Sequence, residues 1–526
     1  MSHPQSRTMT FEPLYYADRI TIINPRGDVG IVTLWTPLQT AMRMIDKISP
    51  SILDPCNGRV AVISNLYGDG MYQMLCNLLY NPQIRHLVAV GEELLAPTTA
   101  EIEAFLRYGL EQAVMLGTTI NRIPGTSRIF PLLEDFDTAR LQRQLTFAYL
   151  GKLAGGEAGA RLPGYLGSLP RHTSHIAGER LRVEIPPALP GDYAFQPSDI
   201  TAHQVTRRRP LDCWEELVTR VVRFGHPVEL RSGPRLELLN TRAVITEPVV
   251  EPAEVLEQYG FSLERFRKYQ NMMLDPSVPP DISYTYGNRL RAYFHSGGRD
   301  IDTLDSVVKE LRHNPESRHA FVSLWDTSAD LHAAERDDAS VPCLVTVFFR
   351  RSEGRLTLTA TYRSHNLLSA WLQNVYGLMK IQEEVCQRTG MAPGPLTVIS
   401  HSLGIDPRSP QYGVARGIAA RWTRDEDLDR STGKHSLRED PNGYFIVTVD
   451  EAAGELVAEH RYEGLLVKQY RADRAAKIER EIIGDMAVSL VSHALWLGRE
   501  LATKELVLRQ GRRGQAGGAA GEAPAP

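Results

Sequence analysis

The chain has 526 residues, of which 42% are hydrophobic and 23% are charged, and its formal net charge is -4 at pH 7. This length is too great for one hydrophobic core, so we expect two or three domains. The chain lacks the net positive charge that is typical of nucleic-acid-binding proteins, so we do not expect a nucleic acid as a partner. No apolar run reaches the ~18 residues that span a bilayer, so we do not expect a membrane as a partner.

The cysteines indicate a reducing compartment. Five are scattered along the chain, with no CxxC pair and no metal-binding spacing. The N-terminal residues contain no apolar segment of the kind that directs secretion. We therefore expect a cytoplasmic protein whose thiols stay free.

The first part of the chain alternates strand and helix patterns, which is typical of a parallel sheet with helices on its faces. We therefore expect an α/β domain over residues 20–150 and a ligand, if there is one, at the loops 65–70 and 91–98. The patterns predict strands at 31–35, 59–63 and 84–91, and helices at 70–79 and 99–108.

Two stretches of this domain, GRVAVISNLYGDGMYQMLCNLLYNPQIRHLVAVGEE and FLRYGLEQAVMLGTTINRIPG, resemble the corrinoid-binding subunit of tetrahydromethanopterin S-methyltransferase. That family places its cobalt-ligating histidine in the loop after the third strand. This chain has EELLAP there, and His86 lies earlier, inside the strand. The resemblance therefore implies the fold but not a cobamide cofactor.

The rest of the chain divides by composition. Residues 151–209 are rich in Gly, Pro and Ala and predict a linker with one short strand at 181–185. A second domain is expected over 210–508, followed by a disordered tail over 509–526. Within the second domain the patterns predict helices at 212–224, 302–311, 368–388 and 475–499, strands at 238–245, 320–325, 344–350 and 355–362, and a charge-rich loop at 421–440.

Cys343 is the candidate nucleophile. It follows a proline at the start of a strand, where a lone cysteine is most often a small buried apolar residue. Arg363 and Ser364 end the next strand, so a hairpin would bring them beside Cys343. A cation close to a thiol favours the reactive thiolate, and a guanidinium binds phosphate through two hydrogen bonds.

Asn374 follows Arg363 by eleven residues, on the apolar helix at 368–388. A buried amide there needs a partner, which the backbone would supply in the simplest case. A pyrimidine base is the alternative, because one amide offers a donor and an acceptor. That pair complements O4 and N3–H of uracil and mismatches cytosine.

Three blocks of the second domain resemble the thymidylate synthase family, which includes the pyrimidine-nucleotide hydroxymethylases. They are YTYGNRLRAYF through GGRDIDTLDSVVKELRHNPESRHAFVSLWD, the Pro342-Cys343 pair, and YRSHNLLSAWLQNVYGLM. The resemblance spans about residues 210–500 and implies an α+β fold and an obligate homodimer.

The resemblance also implies roles for individual residues. Cys343 would attack C6 of the pyrimidine, so that C5 accepts a one-carbon unit from 5,10-methylenetetrahydrofolate. Tyr286 would lie near the reacting carbon, and Asn374 would bind the base. The nucleotide phosphate would be held by Arg231, Arg363 and Ser364, and by Arg318 reaching across the dimer.

The chain departs from the family pattern at several positions. Asn366 replaces the pterin-binding aspartate, which puts classical folate binding in doubt. His319 replaces the second of two phosphate-binding arginines. Gly404 and Asp406 stand where the family has the histidine and tyrosine that bind the sugar 3′-hydroxyl, so deoxyribose specificity does not carry over.

Two further roles stay unassigned. The family has a glutamate that positions water near the base, and Glu251, Glu254 and Glu257 lie in the right region without a matching motif. His401 resembles a general base but has no motif support, so a structural role is the simpler interpretation.

The leading hypothesis is a one-carbon transferase that converts dUMP to dTMP. A 5-hydroxymethylase acting on dUMP, dCMP or CMP is the alternative, and the carrier is either a folate or a methanopterin-type pterin. A hypothesis of another class is a non-catalytic nucleotide-binding or regulatory module.

Overall fold

The structure is a computed structural model, and it describes residues 9–66, 68, 70–94, 97–170, 179–185, 196–231, 233–280, 282–332, 341–422, 426–429 and 432–518. Within these residues, none of the helices combines the length and apolarity needed to cross a membrane. The internal contacts divide the chain into two compact units, residues 1–422 and 423–526. The first unit thus ends well before residue 508, where the sequence pattern placed the end of the second domain.

The first unit begins with an α/β part whose sheet has the order β1-β3-β2-β4-β8. All of its pairs are parallel except β1 with β3, and helices cover the sheet. A separate small sheet, β5-β6-β7, follows α3. The elements are β1 (Ile20–Ile22), β2 (Val29–Val32), α1 (Leu38–Ile48), β3 (Val60–Ser64), α2 (Met71–Tyr80), β4 (His86–Ala89), α3 (Thr98–Tyr108), β5 (Glu111–Met115), β6 (Thr118–Arg122), β7 (Ile129–Phe130), α4 (Thr138–Gln144), β8 (Thr146–Tyr149) and α5 (Glu157–Ser168).

The segment 151–209, predicted as a linker, contains the helix α5 despite Pro163 in its interior. Ala158, Leu162 and Leu166 recur at helical spacing and are buried in a core shared with the sheet. Burial of this face outweighs the unfavourable propensity of Gly and Pro. Residues 181–185, predicted as a strand, form none.

Each of the ligand loops predicted for the α/β part is contacted by a cationic side chain of the chain itself. Arg128 donates to the carbonyl of Gly68, at 2.6 Å, in the loop 65–70. In the loop 91–98, Lys152 pairs with the buried Glu92 at 2.7 Å. Positions 67, 69, 95 and 96 of these loops lie outside the described residues.

The remainder of the first unit is an α+β part built on a sheet of order β10-β11-β18-β16-β15-β14. Its elements are β9 (Gln204–Arg207), α6 (Pro210–Phe224), β10 (His226–Leu230), β11 (Gly233–Ile245), α7 (Ala253–Gln258), α8 (Leu263–Met272), α9 (Tyr286–Arg291), β12 (Phe294–Ser296), β13 (Arg299–Ile301), α10 (Thr303–His313), β14 (Phe321–Ser323), α11 (Thr327–His332), β15 (Leu344–Ser352), β16 (Arg355–Tyr362), β17 (His365–Asn366), α12 (Leu372–Thr389), β18 (Ala392–Ile405) and α13 (Tyr412–Arg421).

The hairpin β15–β16 is set by its two-residue turn. Glu353 and Gly354 both have positive φ, 49° and 76°, which gives the turn the twist that suits a tight antiparallel hairpin. The register that the turn sets holds as far as the pair Thr346–Thr361, and a one-residue shift between Thr346 and Leu344 then pairs Leu344 with Tyr362. The residues flanking that pair, Cys343 and Arg363, therefore meet at the open end of the hairpin.

The helix predicted at 368–388 begins with one π-helical turn, Leu367–Trp371, and continues as α12. Gly390 ends it in the left-handed conformation, with φ of 76°. Its apolar face is buried against the sheet, and Asn374 lies on that buried face. π-turns widen a helix locally and often occur at functional sites.

The second unit is an antiparallel sheet, β21-β22-β23, packed with two helices. It also includes a hairpin, β19–β20, in the segment that was predicted as a charge-rich loop. Instead of one helix at 475–499 there are two, and the last continues through residues 511–518 that were predicted to be disordered; 519–526 lie outside the described residues. The elements are β19 (Glu426–Asp429), β20 (Lys434–Leu437), β21 (Tyr444–Asp450), β22 (Glu455–Tyr462), β23 (Leu465–Ala472), α14 (Ala475–Gly484) and α15 (Val491–Gly518).

Asp440 explains where α15 begins. Its carboxylate, 1% exposed, lies at the start of that helix. Burial alone raises the pKa of this carboxyl, but the hydrogen bonds that it accepts outweigh burial and lower the pKa to about 2. The donors are the backbone N–H groups of Asn442, Ser489 and Leu490, the Ser489 hydroxyl and the His493 ring.

Replacing this carboxylate should weaken the second unit in a pH-dependent way. Because the pKa is lower when folded, its contribution is complete above about pH 4 and declines as the pH falls through about 2. We expect Asp440→Asn to cost about 2 kcal/mol of unfolding free energy at pH 7, measured by urea titration, and less at pH 2.5. Exposed Glu451→Gln is the control, and an equal loss at both pH values would contradict the assignment.

Candidate active site

The hairpin brings Cys343 and Ser364 together. The Sγ atom of Cys343 lies 3.5 Å from the hydroxyl oxygen of Ser364, and the backbone N–H of Arg363 donates to the Cys343 carbonyl at 2.9 Å. The Cys343 side chain is partly buried, whereas Cys76, Cys213 and Cys386 are fully buried. Cys343 therefore combines access from solvent with a polar neighbour.

The side chain of Arg363 is fixed next to Cys343. It donates from Nε to the carbonyl of Pro342 at 3.0 Å and from an Nη atom to the carbonyl of Val341 at 3.1 Å. These contacts use two of the five N–H donors of a guanidinium. The remaining donors suit an anionic ligand.

Four tyrosines surround Cys343, of which only Tyr286 was predicted as a site residue. Its hydroxyl accepts a hydrogen bond from the backbone N–H of Leu344 at 3.3 Å. Burial raises the pKa of Tyr286 and Tyr269 well above the usual value, and burial together with the thiol of Cys343 raises that of Tyr284 to about 12. These hydroxyls stay protonated at neutral pH and act as donors. The fourth tyrosine is Tyr362.

Asn374 is held in a chain of buried hydrogen bonds. Its Oδ1 accepts from the hydroxyl of Tyr269 at 2.5 Å, and its Nδ2 lies 2.8 Å from Nε2 of His365. The other ring nitrogen of His365 lies 2.8 Å from the hydroxyl of Ser400. One amide hydrogen and one oxygen lone pair of Asn374 are left for a ligand.

His365 is uncharged in this chain. Burial lowers the pKa of the ring to about 3, and the ring stacks on Tyr362 with centroids 3.9 Å apart. A neutral imidazole has one donor and one acceptor, so it satisfies Asn374 on one side and Ser400 on the other. Tyr269 and His365 were missed because their partners lie on other elements, and no local sequence signal marks such contacts.

Gly377 allows this arrangement. A side chain at this position would put its Cβ 2.8 Å from the ring of Tyr269 and 2.9 Å from Met273. The missing side chain lets α8 approach α12 closely enough for the Tyr269 hydroxyl to reach Asn374, one turn earlier.

The departures from the family pattern have structural roles. Asn366 caps the π-turn, because its Oδ1 accepts from the N–H groups of Leu368 and Ser369, both at 3.2 Å. Asp406 pairs with Arg235 at 2.7 Å and with Arg408 at 3.1 Å. Both side chains are therefore already engaged within the chain.

The other predicted site residues lie on segments outside the hairpin. Arg231 follows β10, and Arg318 lies between α10 and β14; both side chains are exposed, as is His319.

Among the unassigned residues, Glu251 is buried next to Arg209, at 3.3 Å, while Glu254 and Glu257 are exposed. His401 is exposed and contacts Asn240 at 2.9 Å. Among the described residues there is no group of three metal-ligating side chains.

The hydrogen bond from Tyr269 to Asn374 can be tested with a matched pair of buried tyrosines. Tyr269→Phe leaves the buried amide oxygen without its donor and should cost about 1–3 kcal/mol of unfolding free energy. Tyr362→Phe is the control, since its buried hydroxyl has no hydrogen-bond partner in the described chain. Thermal and urea unfolding measure both, and equal losses would refute this account of Asn374.

A family model described as "Thymidylate synthase" matches residues 253–405, and one described as "PterinBD-DUF4346" matches residues 439–515. Among the similar proteins are three archaeal ones, each described as "Putative thymidylate synthase". That of Methanothermobacter thermautotrophicus is 31% identical over 39% of this chain and 93% of its own length. That of Methanopyrus kandleri is 32% identical over 37% of this chain and 88% of its own length. That of Methanosarcina barkeri is 29% identical over 37% of this chain and 85% of its own length. The chain belongs to the thymidylate synthase family.

Proposed function

We propose that this protein transfers a one-carbon unit from a reduced pterin to C5 of a pyrimidine nucleotide, with dUMP to dTMP as the reaction. The observation that carries the proposal is the arrangement of a thiol, a hydroxyl and a guanidinium at the open end of one hairpin, with the amide of Asn374 on the helix that follows. Cys343 lies 3.5 Å from Ser364, the guanidinium of Arg363 is fixed beside them, and Asn374 offers an amide from a rigid network.

In the proposed mechanism the thiolate of Cys343 adds to C6 of the pyrimidine, and the electron pair of the C5–C6 bond moves to C5 and O4. C5 then bonds to the methylene carbon of the carrier, and the C5 proton leaves. The bond from that carbon to the carrier nitrogen breaks, and the carrier gives a hydride to the exocyclic methylene. Cys343 leaves as C5=C6 re-forms, so the carrier is oxidised to its dihydro form.

The four tyrosines suit a reaction that develops negative charge on a neutral ring. Their pKa values are raised by burial, so each hydroxyl keeps its proton. Tyr286 accepts a hydrogen bond from the backbone N–H of Leu344 and is also hydrogen-bonded to the hydroxyl of Tyr284, which leaves one O–H of the pair to donate near C5. A preorganised donor in a buried site stabilises developing charge without reorganisation.

Substrate binding divides between the two ends of the nucleotide. The remaining N–H donors of Arg363 and the hydroxyl of Ser364 suit the phosphate, together with the exposed Arg231. In a homodimer, Arg318 of the partner subunit would complete that site. The free amide hydrogen and lone pair of Asn374 suit O4 and N3–H of uracil.

The carrier is a folate or a methanopterin-type pterin. The match of residues 439–515 to a pterin-binding family supports a pterin in either case. Asn366, which replaces the family's aspartate, is neutral and already caps a helix, which favours a carrier held differently from folate. The α/β part at 20–150 is proposed to share the fold of the corrinoid-binding methyltransferase domain without holding a cobamide.

A hydroxymethylase is the second candidate, and Asp406 is the observation that favours it. This residue stands where the family binds the sugar, yet its carboxylate is engaged by Arg235 and Arg408. The sugar must then be held differently, which leaves dCMP and CMP open as substrates. The mass of the product separates addition of a methyl from addition of a hydroxymethyl group. A non-catalytic module would give no product.

Covalent capture tests the nucleophile. Incubation with 5-fluoro-dUMP and methylenetetrahydrofolate or its methanopterin counterpart should trap an adduct, because fluorine cannot leave C5 as a proton does. Cys343→Ala should abolish the adduct in the intact-protein mass spectrum. The exposed Cys56→Ala is the matched control and should form it normally. No adduct with any fluoropyrimidine nucleotide and either carrier would refute the proposal.

Mixing subunits tests the shared phosphate site. Arg318→Ala alone should raise the KM for the nucleotide about tenfold or more, because a charged contact to phosphate is lost. At a nucleotide concentration well below the KM of the variant, a 1:1 mixture with inactive Cys343→Ala, re-equilibrated from the monomers, should recover about a quarter of wild-type activity, since half of the dimers then hold one intact site. If activity does not recover on mixing, Arg318 does not act on the phosphate site of the partner subunit.

A further inference from the structure

A small charged cluster lies in the loop that follows β18. The carboxylate of Asp406 accepts hydrogen bonds from the guanidinium of Arg235 at 2.7 Å and from that of Arg408 at 3.1 Å. The same carboxylate also accepts from the backbone N–H of Arg408 at 2.9 Å. Two cations therefore share one anion, which fixes both guanidiniums and leaves a surplus of positive charge in the cluster.

The guanidinium of Arg408 lies against the connection between β10 and β11. A Cβ atom at Gly233, the first residue of β11, would be only 2.7 Å from Cζ of Arg408, which is too close for any side chain. Gly233 also has a φ of 104°, a conformation that favours glycine. Arg231 lies two residues earlier, in the tight turn that joins the two strands, and its side chain is exposed. The position of Arg408 thus affects the turn that carries Arg231.

The α/β part contacts Arg408 as well. Tyr72 of α2 is 2% exposed, and its hydroxyl donates to the backbone carbonyl of Arg408 at 2.8 Å. The next residue, Gln73, donates to the hydroxyl of Tyr16 at 3.3 Å. Burial raises the pKa of Tyr16, and the charges of Arg408 and Asp406 also act on this hydroxyl, which therefore lies near their ion pair. Two tyrosines of the α/β part thus adjoin the charged cluster of the synthase part.

These contacts hold both the backbone and the side chain of Arg408. Its carbonyl is bound by Tyr72, and its guanidinium is bound by Asp406 and packed on Gly233. An anion-binding turn that is ordered before the ligand arrives binds more tightly, because less conformational entropy is lost on binding. Order in the turn that carries Arg231 therefore depends in part on a hydroxyl of the α/β part.

We propose that the α/β part sets the nucleotide affinity of the synthase part, by holding the β10–β11 turn through Tyr72 and Arg408. The inference rests on the proposed function, in which Arg231 binds the nucleotide phosphate. Tyr72 is a positioning residue here, because its hydroxyl acts through Arg408 and does not itself contact the nucleotide. This gives the α/β part a role that requires no cofactor of its own.

A double-mutant cycle tests this series of contacts. The measurement is the Kd, by titration calorimetry, for whichever of dUMP, dCMP and CMP the wild type binds best. Tyr72→Phe removes only a hydroxyl and should raise this Kd about fivefold, because the turn loses order. Arg231→Ala should raise it about tenfold or more. In the Arg231→Ala background, Tyr72→Phe should have no further effect, because its route to the phosphate is then lost.

The control is Tyr80→Phe, at the other end of α2, where the ring packs on Arg180 of the α/β part. This variant should bind the nucleotide as the wild type does. General damage to the fold would weaken binding whether or not Arg231 is present. If Tyr72→Phe binds like the wild type, or if its effect persists without Arg231, the inference is overturned while the proposed function stands. If the wild type binds none of the three nucleotides, the proposed function itself fails and the inference fails with it.

Discussion

The site depends on one constraint, which is that the amide of Asn374 is buried and must be paired. Tyr269 satisfies its oxygen and His365 satisfies its nitrogen, and Ser400 satisfies the far side of His365. These contacts join α8, the segment after β16, α12 and β18 into one network. A half-satisfied network in this core would be costly, so each member restricts the others, and the amide presents a fixed face.

The hairpin β15–β16 is the second rigid element of the site, and its geometry is set by local interactions, whereas the network around Asn374 is set by contacts between distant elements. Its geometry is local: a two-residue turn with positive φ sets the register as far as Thr346, and a one-residue shift between Thr346 and Leu344 brings Cys343 opposite Arg363. The guanidinium then binds the carbonyls of Val341 and Pro342 and stiffens the strand that carries the thiol. A nucleophile and a base-binding amide are thereby held on separate rigid elements that meet at the carboxyl end of β16.

This difference explains how much of the site could be predicted from the sequence. Cys343, Arg363 and Ser364 follow from hairpin periodicity and spacing, which are short-range signals. Tyr269 and His365 were missed because their partners lie 105 and 9 residues away, on other elements. Packing likewise keeps Pro163 inside a helix. The helix predicted at 475–499 is instead divided in two, and Asp440 caps the start of the second helix, α15. Tertiary contacts of this kind leave no periodic trace in the sequence.

The same reasoning bears on why the α/β part is attached to a synthase. The α/β part keeps hydrophobic clusters of its own, and in addition Ile120 and Ile129 are buried in the core of the synthase part. Arg128 pairs with Glu101 and donates to the carbonyl of Gly68, so the segment next to Ile129 is also attached to the loop after β3. The α/β part is therefore packed into the synthase part and not merely tethered to it.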